Sequence, residues 1–121
     1  MKVAIFGKSF LPSFNNYILQ LFEKLENSGI EYIVYEKFYQ FLQKNSTLKL
    51  SNNFIFSSHN DLDNNIDFFI SVGGDGTFLE SVLFVRDKNI PILGINSGRL
   101  GFLSDIAKEE INYAIDTLIK K

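Results

Sequence analysis

Along this chain, short continuous apolar runs alternate with stretches in which apolar residues recur every three or four positions. "KVAIFG" (2–7) is a β-branched run and reads as a strand. In the next segment Phe14, Tyr17, Ile18, Leu21, Phe22 and Leu25 recur at helical spacing, and Gly29 closes that helix as a left-handed cap does. "IEYIVYE" (30–36) predicts a second strand and "FYQFLQK" (38–44) a short helix or turn. Residues 45–65, rich in Asn and Ser, predict an irregular excursion with one weak strand at "NFIFS". "IDFFISV" (66–72) has the continuous apolar character of a strand covered on both faces. A helix is expected from Thr77 to Asp87, a strand at "IPILGIN" (90–96), a glycine-punctuated loop at "SGRLGFLSD" and an amphipathic helix over 107–121. Alternation of this kind implies βαβ units, hence an α/β fold: a doubly wound, mainly parallel sheet flanked by helices. Ligands of such sheets bind beyond the carboxyl ends of the strands. Both glycine-rich loops, 73–76 and 98–101, fall at such ends.

At 121 residues the chain is expected to be a single domain, 1–121, with 45% hydrophobic residues to supply its core. A formal charge of −2 offers no basic field, so neither nucleic acid nor an anionic membrane is an expected partner. The absence of cysteine removes disulfides, thiolate nucleophiles and thiolate-bound zinc, and the single histidine, His59, cannot build a multi-histidine site. Any metal would be oxygen-bound. The apolar part of "MKVAIFGKSF" is too short for a signal peptide and no run approaches a membrane span, so the cytoplasm is the expected location.

The chemistry concentrates at "GGDGT", where Gly73, Gly74 and Gly76 surround Asp75. Glycines let a phosphate or sugar approach the main chain, and bare amides at a helix mouth favour anions. A carboxylate among phosphates would repel them, so Asp75 is better suited to a hydroxyl. It can orient that hydroxyl and accept its proton as an electrophile is attacked, the base role in phosphoryl transfer. The bland alternative is a helix start. Thr77 and Glu80 fit a capping box, which for those two is the stronger reading than ligand contact. For Asp75 the three flanking glycines favour the functional reading, since a simple turn needs one.

Two superficial matches fail. "GKS" (7–9) lacks the glycine that a nucleotide P-loop requires five residues before Gly7, where Lys2 stands. Lys8 and Ser9 still occupy a strand's carboxyl end, with an exposed loop the expected reading and ligand contact the alternative. The dinucleotide fingerprint fails because Leu79 stands where its third glycine belongs. His59 is expected in an exposed loop, and Tyr32, Tyr35, Phe38, Tyr39 and Phe41 are expected to pack rather than to stack on bases, since no basic patch accompanies them.

"GGDGTFLE" (73–80), followed by "ILGINSGRLGFLSD" (92–105), resembles the amino-terminal domain of the NAD kinase family. The "GGDG" turn is shared with phosphofructokinases and diacylglycerol kinases; the second motif is far more particular, and the flanking strands extend the likeness over nearly the whole chain. The resemblance implies that Asp75 is the catalytic aspartate at the 2′-hydroxyl of the adenosine ribose of NAD. Gly74, Gly76 and Thr77 then belong to the turn that admits the nucleotide. Leu79 and Phe102, with Leu103 beside them, match positions lining the adenosine end of the pocket. Asn96, Gly98, Arg99 and Gly101 belong to the loop framing the phosphate and ribose. Arg99 reads equally as a phosphate ligand and as a solvent-facing or salt-bridging arginine.

The implied reaction transfers the γ-phosphoryl group of ATP to NAD with Mg²⁺ or another divalent cation, yielding NADP. No metal-binding residue is assigned in this chain. Many family members carry a basic residue where this chain has Glu80; if that position contacts NAD or ATP phosphates in relatives, the contact is missing or inverted here. The family continues into a β-rich second domain, through which its members form homo-oligomers. Since this chain is expected to stop short of that domain, it is expected to be inactive alone. Two rivals stand beside this reading: a lipid or sugar kinase sharing "GGDG", which leaves "NSGRLGFL" unexplained, and a non-catalytic nucleotide-binding module in which Asp75 only orients a ribose.

Overall fold

The computed structural model describes residues 1–48, 50, 55–63, 65–97 and 106–120. Strands β1 (Lys2–Gly7), β2 (Glu31–Tyr35), β3 (Ile55–Phe56), β4 (Phe68–Gly73), β5 (Ile92–Asn96) and β6 (Ile106–Ala107) form one sheet. Its order is β3-β2-β1-β4-β5-β6, and every neighbouring pair is parallel. The helices are α1 (Asn15–Asn27), α2 (Glu36–Asn45), α3 (Asp75–Val85) and α4 (Ile111–Ile119). This is the doubly wound α/β sheet that the alternation predicts. The chain winds outward from β1 to β3, returns past β1, and winds the other way from β4, so the direction reverses between β1 and β4. At such a reversal the connections leave on opposite faces and open a crevice at the carboxyl ends.

Burial of the central strands on both faces follows from their pleat. In β1, Val3 and Ile5 join the core under α1, α2 and α4, where Phe22, Phe38 and Ile115 pack, while Ala4 and Phe6 point to the other face. Under α3 that second face is filled by rings. Phe6 has its centroid 4.8 Å from Tyr35, 4.9 Å from Phe84 and 6.0 Å from Phe69. The aromatics of β2 and α2 are therefore packing residues: Phe38 is fully buried, and Tyr32 stands edge-on to Phe22 at 5.2 Å.

Three expectations need correction. α2 is a full helix of ten residues that begins at Glu36, directly after β2. The short strand β6 was not foreseen, because two residues carry no readable alternation. His59 is half-buried rather than exposed, in a 3-10 turn over His59–Asp61, with Nδ1 2.6 Å from the carbonyl oxygen of Phe84. Gly29 takes the left-handed conformation expected of it, with φ 70°.

Candidate functional site

β4 ends at Gly73, and α3 begins two residues later. Gly74 is the N-cap, with extended backbone (φ −110°, ψ −161°) and no side-chain cap. The helix expected from Thr77 thus starts at Asp75, and the Thr77–Glu80 capping box does not form. Asp75 occupies the first helical position, where a carboxylate meets the positive end of the helix dipole. Thr77 is used differently: its side chain covers Gly73. A β-carbon on Gly73 would lie 2.6 Å from Thr77 Oγ1, and the Gly73 φ of 156° disfavours any side chain there. One turn on, buried Ser81 donates its hydroxyl to the Thr77 carbonyl at 3.0 Å, satisfying its polar group within α3.

Gly74, as the N-cap, sits where glycine is favoured over alanine, but Gly76 has no such reason among the described residues. Neither has positive φ, and a β-carbon at either would meet nothing within 4 Å among the described residues. Glycine in a helical turn costs roughly 1 kcal/mol relative to alanine. Gly76, at the second position of α3, bears that cost beside Asp75, with no described residue against its open side. Such bareness leaves room for a ligand to reach the backbone. Leu79, one turn beyond Asp75 on the same helical face, is 56% exposed.

The second motif arrives through the sheet. Asn96, the last residue of β5, is paired in register with Gly73 and is buried. The N–H of Ser97 donates to the Gly73 carbonyl at 3.2 Å. Its neighbour Ile95 faces the α1/α4 core, so strand alternation directs Asn96 to the face that carries α3. Of the site residues expected from sequence, Gly74, Asp75, Gly76, Thr77, Leu79 and Asn96 therefore meet at one sheet edge. Gly98, Arg99, Gly101, Phe102 and Leu103 lie outside the described residues.

Lys8, expected in an exposed loop with ligand contact as the alternative, also reaches this edge. Lys8 follows the last residue of β1, and its ammonium forms an ion pair with Glu80 on the second turn of α3. Only the strand order, which sets β1 beside β4, brings these residues together. A groove of about 280 Å³ runs along α3, lined by Glu80 together with His59, Leu83 and Arg86, and Asp75 is not among its described lining residues. Among the described residues no three His, Asp or Glu side chains are grouped to hold a metal, and no helix is long and apolar enough to cross a membrane.

Comparison with known proteins agrees with this geometry. The family model of the ATP-NAD kinase N-terminal domain matches residues 3–121. The NAD kinase of Flavobacterium psychrophilum is 43% identical over 122 residues, covering 100% of this chain and 41% of that protein. That of Christiangramia forsetii is 40% identical over 121 residues, with the same coverage of 100% and 41%. That of Bacteroides fragilis is 41% identical over 116 residues, covering 96% of this chain and 39% of its own length. The chain thus spans about two-fifths of the length of these relatives. With two glycine-rich motifs joined at the Gly73–Asn96 step and a family match along nearly its whole length, the chain belongs to the ATP-NAD kinase family, in its N-terminal domain.

Proposed function

We propose that the full-length protein is an NAD kinase. It transfers the γ-phosphoryl group of ATP, delivered with Mg²⁺ or another divalent cation, to the 2′-hydroxyl of the adenosine ribose of NAD and so makes NADP. The observation that carries this reading is Asp75, held at the first turn of α3 beside Gly76, which no described residue requires to be bare.

In this scheme Gly74 and Gly76 let the ribose approach the backbone. Asp75 accepts the proton of the attacking hydroxyl, the group that must be deprotonated as the new P–O bond forms. Leu79, with Phe102 and Leu103, covers the adenosine. Asn96, Gly98, Arg99 and Gly101 frame the phosphates and ribose. Thr77 contributes by fixing the turn through its contact with Gly73. The divalent cation comes with the ATP phosphates, as Mg²⁺ commonly does. This chain supplies one side of the cleft, and a β-rich second domain, through which the enzyme forms homo-oligomers, supplies the other. The reaction takes place in the cytoplasm.

The test is NADP formation from NAD and Mg-ATP by the full-length gene product, with and without Asp75→Asn. A fall of about 10²–10⁴-fold in rate with NAD binding retained supports the base role. NAD binding without NADP formation by the unsubstituted protein assigns Asp75 to recognition and refutes the kinase reading.

A further inference from the structure

We propose that Lys8 is a binding residue for the polyphosphate of the phosphoryl donor, and that Glu80 holds its ammonium ready at the cleft until the donor arrives. The inference rests on the kinase reading above and adds to it a residue from a different strand.

Three observations place Lys8 there. The β1–β4 ladder pairs Gly7 with Val72, so Lys8 leaves the sheet alongside Gly73, on the opposite side of the reversal in winding direction. Phe6 points into the core under α3, and the β-carbon position of Gly7 points instead at the Phe38 ring of α2, so the alternation turns Lys8 back toward α3. There its ammonium meets Glu80, which lies one turn from Gly76 on the same side of the helix. The cation is thus stored about 6 Å along the helix axis from the open ground at Gly76. The four-carbon stem of lysine can span that distance.

The pair is poorly suited to a structural task. Its side chains are 58% and 39% exposed, and ion pairs so exposed contribute little to stability. Weakness of that order suits exchange: a polyphosphate carries more negative charge than one carboxylate and can take the ammonium from it. The other described ion pairs serve different places. Lys24–Asp116 ties α1 to α4, and Lys2–Asp63 lies at the start of β1.

The experiment uses the full-length protein and its Lys8→Met, Lys8→Arg and Glu80→Gln variants. Initial rates are measured with Mg-ATP and NAD varied separately, and binding of the non-hydrolysable analogue Mg-AMP-PNP is measured by calorimetry. Lys8→Met is expected to raise the KM for ATP and the Kd for AMP-PNP about tenfold or more, leaving the KM for NAD unchanged. Lys8→Arg restores most of the loss. Glu80→Gln, which removes a competing carboxylate, lowers both donor constants several-fold. All three should keep Tm within about 4 °C of the parent. The proposal is overturned if Lys8→Met leaves the donor constants unchanged, if it raises the KM for NAD equally, or if Glu80→Gln weakens donor binding as Lys8→Met does. Failure of the parent protein to form NADP refutes the kinase reading instead. The AMP-PNP arm still decides whether Lys8 holds a polyphosphate, and absence of AMP-PNP binding by the parent overturns that as well.

Discussion

Gly73 stands opposite Asn96 in the parallel β4–β5 ladder, so the two glycine-rich motifs, far apart in sequence, meet one ladder step apart. Gly73 is also the floor on which Thr77 rests. Gly73→Ala should therefore lower stability by about 2–3 kcal/mol, from the unfavourable φ and the collision with Thr77 together. Urea denaturation of the chain measures this. Thr77→Gly in the same background removes the colliding atoms but should not restore the parent stability, because the backbone conformation remains and a helix glycine adds its own cost.

Gly76→Ala should separate stability from function. No described residue obstructs a methyl at this helical position, so the chain should gain up to about 1 kcal/mol in the same denaturation assay. Under the proposed NAD kinase function the methyl intrudes on the nucleotide's space in the full-length protein, and NAD affinity should fall. Unchanged affinity would mean that the opening at Gly76 serves no ligand.

Phe6 joins β1 to the rings of Tyr35, Phe69 and Phe84 and is buried. Phe6→Ala should cost about 3–5 kcal/mol, enough to unfold a marginally stable domain. Phe6→Leu, which preserves most of the volume, should remain folded by circular dichroism with a lower urea midpoint.

Tyr32 should make the domain sensitive to alkali. Burial, helped by the Glu26 carboxylate that accepts its hydroxyl at 2.8 Å and repels the phenolate, pushes the Tyr32 pKa up. A raised pKa means that the folded state keeps a proton that the unfolded chain loses. The contribution is fully present below the unfolded value of about 10 and is lost as pH rises above it. Between pH 9 and pH 11 the urea midpoint should drop further for the parent than for Tyr32→Phe. The difference in absorbance at 295 nm between the parent and Tyr32→Phe should show Tyr32 resisting ionisation until unfolding.

The sequence by itself determined the elements and the class of fold. Strand and helix periods are local properties of the chain, and the apolar run at Phe69–Val72 carries its two-sided burial in its own composition. It also marked Asp75 among its glycines and placed both motifs at strand ends. It did not distinguish the three glycines: Gly73 is required by Thr77, while Gly74 and Gly76 are bare toward open space, a difference made by packing. It placed the start of α3 two residues late, because a Thr-x-x-Glu pattern looks like a cap whether or not the backbone is already helical. Strand order and register were decided only by the tertiary structure, since parallel strands are joined by long crossovers whose sequence does not name the neighbour they reach. That order set β1 against β4, turning Lys8 from a loop residue into the partner of Glu80, and carried His59 under the carbonyl of Phe84.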